Sequence, residues 1–354
     1  MKPFPRARVH LLLVSAMLLS LSVLAQESTP APGTPEAKVA ETQPVSRHDL
    51  EVRASEINPQ AKEYPELGFV FADEKGNPKD LQHAVVDTGV PSRGQLVIWL
   101  MGHNQRFFEH LASYGLHAIQ PHYANGWFSK IAGAKRDDGT TLGQVRLEAA
   151  TGDDHSSQIN LAKPDGLAER SIQLVKWLAE TDPEAKWEQF LTDDRSDLRW
   201  EKVILSGISH GSTTAARFAK HQKVARVVMF SGPRDQFETW HGFPSATPPN
   251  RYFGFTHVLD SGWVGDHYCR SWQMLGLAEF GPLVNVDQAS APYGNSRRLI
   301  TNIDVDNDSG RAHGVVISGT AWPEVWRYLF THPVDQTGDP VPFDEDCRMD
   351  LRPK

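Results

Sequence analysis

Residues 203–221, VILSGISHGSTTAARFAKH, change from an apolar run through two glycines into a run of small and amphipathic residues. The apolar half predicts a buried strand, and the spacing of the second half predicts a helix. Ser209 lies at the junction, between Gly207 and Gly211. A serine on a sharp turn between strand and helix is exposed to substrate, and the helix N-terminus stabilises nearby negative charge. We therefore predict that Ser209 is a nucleophile.

Short apolar segments alternate with amphipathic segments on both sides of this stretch. This alternation predicts an α/β fold with a mostly parallel central sheet and helices on both faces. Two long polar segments, 125–164 and 233–250, are predicted to be loops over the edge where parallel strands end, because ligands bind there. The predicted strands are 94–102, 116–123, 200–207, 225–232, 251–259 and 297–303, and the predicted helices are 106–115, 165–180, 212–222 and 323–330.

The motif GISHG and this order of elements resemble the α/β-hydrolase superfamily, and the resemblance extends over most of residues 90–332. It implies an α/β-hydrolase fold and an activity like that of serine esterases and lipases. It also implies a chain order in which the nucleophile comes first, then the acid, then the histidine. The nucleophile in that order would be Ser209.

Two residues downstream of the motif occupy the remaining positions of a triad. Asp260 follows the strand predicted at 251–259, and His313 is expected in the loop after the next strand. Ser209 would attack a carbonyl carbon, His313 would transfer the proton, and Asp260 would orient the imidazole and stabilise its charged form. Asp266 and Asp235 stay open as alternative acids, because each also follows a predicted strand.

The negative oxygen formed in such a reaction needs backbone N–H donors. His210, the residue after the nucleophile, is predicted to supply one of them. The resemblance implies that the other comes from the loop after the strand at 94–102, where GHN takes the place of a His-Gly-x turn. His103 is the predicted donor there, with Asn104 as the alternative.

Residues 1–25 have the features of a secretory signal peptide. A basic start is followed by an apolar run that is broken by serines and is shorter than a membrane-spanning helix. Small residues precede a cut predicted after Ala25. The chain is therefore expected to be secreted or periplasmic, without a stable membrane anchor once the signal is cleaved. The three basic residues are Lys2, Arg6 and Arg8.

Residues 26–50 are rich in Pro, Thr and Ala and poor in large apolar residues. Such a segment cannot bury enough surface to fold, so it is predicted to be a disordered leader. Residues 51–354 contain no second break of this kind and are predicted to form a single domain. In an oxidising compartment, Cys269 and Cys347 are predicted to form a disulfide.

Composition and motif spacing argue against several classes of function. The formal net charge is −8, and would become −11 without the signal, which disfavours nucleic acid as a partner. No glycine-rich phosphate loop follows the first predicted strand, so no nucleotide cofactor is expected. No His-x-x-x-His or Cys-x-x-Cys spacing indicates a metal site. The expected partner is a small ester or acyl substrate, and the oligomeric state is left open.

The same three residues could also serve a peptidase or an amidase, because both reactions pass through a tetrahedral intermediate. A hydrolase-like protein that binds without catalysis is a further alternative. Trp127, Phe128, Trp240 and Phe243 lie in the two long polar segments and could form an apolar wall around a substrate. They could equally hold those segments in place.

Overall fold

The computed structural model describes residues 46–131, 140–235 and 239–342. The predicted signal peptide and most of the predicted leader lie outside these ranges. The end of the leader was placed too late, because residues 47–50 already belong to the first strand. There they pair antiparallel with the second strand, and Val52 is buried in the core. Backbone pairing and this burial stabilise a segment whose composition alone indicates disorder.

The described residues form nine strands and ten α-helices. The strands are β1 (Arg47–Arg53), β2 (Leu81–Asp87), β3 (Leu96–Trp99), β4 (His117–Gln120), β5 (Val203–Ile208), β6 (Arg226–Phe230), β7 (Tyr252–His257), β8 (Leu283–Asn285) and β9 (Arg298–Thr301). The helices are α1 (Ala54–Ile57), α2 (Gln105–Ser113), α3 (Trp127–Ile131), α4 (Thr141–Thr151), α5 (Leu167–Thr181), α6 (His210–His221), α7 (Ser261–Val264), α8 (His267–Met274), α9 (Ser309–Ser318) and α10 (Pro323–Thr331).

All nine strands form one sheet in the order β1-β2-β4-β3-β5-β6-β7-β9-β8. Strands β3 to β9 are parallel to one another, whereas β2 is antiparallel to both of its neighbours. The chain passes from β3 outward to β4 and then returns to β5 on the other side of β3. The loops after β3 and β5 therefore diverge at a topological switch point, where open α/β sheets bind ligands.

Successive residues of the central strands face opposite sides of the sheet. Val203 and Leu205 belong to an apolar cluster that includes residues of α5, α6 and α8. Ile204 belongs to a second cluster with residues of α2, α9 and α10. Strands buried on both faces are continuously apolar, which is why their sequence predicts them well. The predicted α/β fold, with a mostly parallel sheet covered by helices on both faces, is confirmed.

Two predicted loops contain helices. The segment 125–164 includes α3 and α4, and His313 lies on α9 rather than in a loop. Helix α4 is buried on nearly every side, and its buried residues include the charged Arg146 and Glu148. Because charged residues are usually exposed, the sequence of this helix resembles that of a polar loop. The other long polar segment, 233–250, contains a 3-10 turn at Thr239–Gly242, and a second one, Pro249–Arg251, begins at its end. Its residues 236–238 lie outside the described ranges.

Cys269 is buried on α8, whereas Cys347 lies outside the described residues, so their disulfide stays a prediction. In the described part of the chain, no helix has the length and apolarity needed to cross a membrane.

Candidate active site

Ser209 occupies a strained turn between β5 and α6. Its backbone angles are φ 58° and ψ −124°, which a residue with a side chain rarely adopts. A Cβ on Gly207 would lie 2.6 Å from the Gly211 carbonyl carbon, and a Cβ on Gly211 would lie 2.7 Å from Met101 Cγ. Both positions therefore require glycine, because the β5 end, the α6 start and the β3 loop approach too closely for a larger residue. Ser209 remains partly exposed.

Hydrogen bonds fix the backbone of Ser209 on both sides. Its N–H donates to the Phe230 carbonyl at the end of β6, with an N–O distance of 2.9 Å. Its carbonyl accepts from the hydroxyls of Ser212, at 2.7 Å, and Thr213, at 3.1 Å. His210 is the first residue of α6, so its own N–H has no acceptor within the helix. That N–H is the donor predicted beside the nucleophile.

Asp260 and His313 are joined by a hydrogen bond of 2.7 Å between Oδ2 and Nδ1. The other carboxylate oxygen, Oδ1, accepts from the Gly262 N–H at 2.8 Å and from the Tyr268 hydroxyl at 3.0 Å. Burial acts to raise the pKa of Asp260, but the hydrogen bond and charge of His313, with Gly262 and Tyr268, lower it below its ordinary value. Asp260 is therefore a buried carboxylate with its acceptor sites filled.

The bond to Asp260 determines the state of the His313 ring. A carboxylate only accepts, so Nδ1 carries the hydrogen and Nε2 is left as the acceptor of the neutral ring. About a third of the side chain is exposed, at 35%. Within the described residues no hydrogen bond joins the ring to Ser209. The two residues lie at the same edge of the sheet, and catalytic hydrogen bonds are often long without substrate.

The structure separates Asp260 from the two alternative acids. Asp266 immediately precedes α8 and pairs with Arg270 at 3.2 Å. Asp235 follows β6 and binds Arg146 through both oxygens, at 2.6 and 2.8 Å. The carboxylate that holds the histidine ring is Asp260.

Behind Ser209 lies a buried cation that the sequence analysis did not identify. Arg146 of α4 is 1% exposed. Its Nε and Nη2 bind Asp235, and its Nη1 lies within hydrogen-bond distance of three acceptors: the His210 carbonyl at 3.1 Å, His210 Nδ1 at 2.7 Å and the Thr214 hydroxyl at 3.0 Å. In the sequence, Arg146 stands out only as a charged residue within the mostly apolar stretch 142–150. Because that stretch was predicted to be a loop, its burial was not expected.

His210 is neutral in this environment. Burial, and then the charge of Arg146, lower its pKa well below the ordinary value. Because a guanidinium only donates, Nδ1 accepts and the proton of the ring is on Nε2. The ring packs against Trp127 and Phe128, with centroids 4.9 and 4.7 Å apart. Two of the predicted wall aromatics thus contact the residue beside the nucleophile.

Trp240 is buried, stacks on His241 and has its indole nitrogen 3.4 Å from Asp235 Oδ2. Phe243 is an exposed residue. Trp240 therefore supports the buried ion pair, while a substrate wall formed by these aromatics stays a prediction.

The loop after β3 holds the predicted second donor to the negative oxygen, and its side chains have other contacts. The His103 ring stacks on His83 of β2, with centroids 4.0 Å apart. Asn104 caps α2 by accepting from the Phe107 N–H at 3.1 Å. The atoms nearest to a Cβ at Gly211 belong instead to Leu100 and Met101. The His103 donor, with Asn104 as its alternative, stays a prediction, and the N–H of Met101 is a further candidate because Met101 lies against the Ser209 turn.

No protein-family model matches the sequence, and no curated protein is significantly similar to it. Among solved structures, the chain is similar to an esterase B from Lactobacillus rhamnosis, with 12% identity and a TM-score of 0.36, over 79% of this chain and 81% of the esterase. It is also similar to a serine hydrolase without a lid from Xanthomonas campestris, with 11% identity and a TM-score of 0.31, over 72% of this chain and 93% of that protein. These values are too low to support an argument about activity.

Proposed function

We propose that this protein is a serine hydrolase that cleaves a carboxylic ester through an acyl-enzyme, with Ser209, His313 and Asp260 as its triad. The observation that carries the proposal is the 2.7 Å hydrogen bond between Asp260 and His313 at the sheet edge that presents the strained Ser209 turn. Ordinary loops do not combine a strained serine at a helix N-terminus with a histidine held by a buried carboxylate.

In the proposed reaction, the Ser209 hydroxyl attacks the ester carbonyl carbon and its proton passes to Nε2 of His313. Asp260 stabilises the resulting imidazolium. The negative oxygen is bound by the His210 N–H and by a backbone N–H of the loop after β3, from Met101 or His103. His313 then protonates the leaving alcohol. Water then attacks the acyl-enzyme as His313 takes its proton, and His313 returns that proton to the departing Ser209 oxygen, which releases the carboxylic acid and restores the Ser209 hydroxyl.

Replacing Ser209 with Ala tests the proposal. Because the triad acts as a unit, Ser209→Ala is expected to fold normally and to lose about 10⁶-fold in kcat. Turnover is measured on a panel of p-nitrophenyl esters and aminoacyl anilides, and covalent labelling is measured with a fluorophosphonate probe. Ser206→Ala is the matched control, since Ser206 is fully buried in β5 and its hydroxyl bonds to the Val228 carbonyl.

The outcomes separate the alternatives. Hydrolysis of esters with labelling at Ser209 supports the proposal, whereas preferential hydrolysis of anilides would assign the same triad to an amidase or a peptidase. Folded wild-type protein that neither reacts with the probe nor turns over any substrate would be a binding protein, and the proposed function would be wrong.

We also propose that the enzyme is secreted or periplasmic, on the basis of the sequence of residues 1–25 alone. An exported chain that begins at Gln26 would support cleavage after Ala25, and one that retains Met1 would contradict it.

A further inference from the structure

Arg146 uses its whole guanidinium group in a buried network beside the nucleophile. Two of its nitrogens bind the Asp235 carboxylate, and the third, Nη1, is within hydrogen-bond distance of the His210 carbonyl, the His210 ring and Thr214. The guanidinium also lies 5.2 Å from the centre of the Trp127 ring. A bidentate ion pair fixes the plane of the guanidinium, and with it the direction of Nη1.

The helix that carries Arg146 is itself anchored. Glu148, two residues along α4, is buried and accepts three backbone hydrogen bonds. The donors are the N–H groups of His155, at 3.2 Å, Ser156, at 2.8 Å, and Leu161, at 3.0 Å. These bonds tie α4 to the segment that follows it. The backbone that carries Arg146 is therefore held in place while its side chain contacts the first turn of α6.

Asp235, the partner of Arg146, belongs to a segment that contacts both Ser209 and His313. Residues 231–235 follow β6, and the Ser231 hydroxyl donates to the His313 carbonyl at 2.9 Å. A Cβ on Gly232 would lie 3.2 Å from the Ser209 carbonyl oxygen, so this backbone packs directly on the nucleophile turn. The ion pair between Arg146 and Asp235 then joins the end of this segment to α4 and α6.

We propose that Arg146 is a positioning residue for the hydrolysis assigned to Ser209, and the inference rests on that proposed function. By holding the carbonyl and the ring of His210, Arg146 would fix the direction of the His210 N–H that faces the negative oxygen. Preorganised donors of this kind act on the transition state more than on the bound substrate. The predicted signature is therefore a loss in kcat rather than a rise in KM.

The chain contains a matched control for this proposal. Arg170 of α5 is also 1% exposed and forms a buried ion pair with Asp165 at 2.7 Å. Its guanidinium lies 5.1 Å from the centre of the Phe69 ring, much as Arg146 lies over Trp127. Among the residues that the structure describes, Arg170 has no hydrogen bond to the turn at Ser209, and its partner Asp165 also accepts from the Lys62 N–H and the Tyr64 hydroxyl.

The experiment compares Arg146→Lys with Arg170→Lys. Lysine keeps the charge but cannot bind a carboxylate through two nitrogens while a third holds His210. We expect Arg146→Lys to lower kcat about 100-fold with KM changed less than about threefold, and to slow fluorophosphonate labelling of Ser209 about 100-fold. Arg170→Lys should keep kcat and the labelling rate within about twofold of wild type, although both variants lower the Tm.

Equal losses of kcat in the two folded variants would overturn the proposal, because the effect would then be one of general stability. An unchanged labelling rate in Arg146→Lys would overturn it as well. If Arg146→Lys does not fold, Asp235→Asn replaces it in the experiment. This substitution weakens the hydrogen bonds that hold Arg146 and keeps the shape of the side chain. An unchanged labelling rate in Asp235→Asn then contradicts the proposal. Wild-type protein that is not labelled at all identifies a failure of the proposed function itself.

Discussion

Asp235 and Asp260 follow neighbouring parallel strands, β6 and β7, and both side chains are buried. Burial acts to raise the pKa of each carboxyl, and in each case a partner outweighs it and lowers the pKa. The partners differ. Arg146 occupies both oxygens of Asp235, whereas Asp260 gives one oxygen to His313 and the other to Gly262 and Tyr268.

The partner determines what each carboxylate can do. An arginine side chain keeps its charge throughout a reaction, so the pair with Asp235 can only hold parts of the molecule in place. A histidine can take up and release a proton during a reaction, so the pair with Asp260 can stabilise a charge that appears in it. In the proposed reaction Asp260 would therefore serve catalysis, whereas Asp235, which follows the neighbouring strand, would hold the fold in place.

The same substitution in the two residues should separate these roles. Asp260→Asn is expected to lower kcat about 10⁴-fold, because asparagine no longer selects the His313 tautomer or stabilises its charged form. The free energy of unfolding should change by about 1 kcal/mol, since hydrogen bonds to residue 260 remain possible. Ester turnover and urea unfolding of the same preparation measure both quantities. Activity within tenfold of wild type would rule out Asp260 as the triad acid.

Asp235→Asn should produce the reverse pattern. It leaves the buried charge of Arg146 without a compensating partner, so we expect the protein to lose about 3 kcal/mol in the free energy of unfolding. Arg146 keeps a neutral oxygen as acceptor, and kcat should fall only about tenfold. Urea unfolding and ester turnover again provide the measurements. A loss of kcat as large as that of Asp260→Asn, without a loss of stability, would reverse the assignment of the two residues.

The parts of the site that the sequence predicted are encoded locally. The turn at Ser209 needs an apolar strand, two glycines and a helix within 19 residues, and all of them are adjacent in the chain. The mostly parallel sheet is predicted for the same reason, since strands buried on both faces are continuously apolar. The first two strands were missed because polar residues occupy some of their inward positions, such as His48 in β1 and the buried Gln82 in β2.

The choice between acids could not be made from the sequence, because it depends on which side chain each carboxylate meets across the fold. Asp260 and His313 are 53 residues apart, and Arg146 and Asp235 are 89 residues apart. Asp308 shows how local polarity also misleads. It accepts from the Gly310 and Arg311 N–H groups and thereby begins α9. The sequence predicted a loop at His313, whereas this cap starts a helix that contains it.

The smallest expected effect concerns the hydroxyl that supports Asp260. Tyr268→Phe removes one of the two donors to Oδ1 and should cost about 1 kcal/mol in the free energy of unfolding at pH 7, with kcat reduced less than about tenfold. The loss should depend on pH. The pKa of Asp260 is lower in the folded protein than the value of about 3.9 in an unfolded chain, so its ionised form stabilises the fold above that pH.

This contribution is lost as the pH falls through the pKa of the folded state. Without Tyr268, the folded pKa of Asp260 rises towards the unfolded value, so less stability remains to be lost. The difference in unfolding free energy between wild type and Tyr268→Phe should therefore be largest near pH 7 and shrink below about pH 4. Urea unfolding at pH 7, 4 and 3 measures it. A difference that stays constant would mean that the hydroxyl supports packing rather than the charge of Asp260.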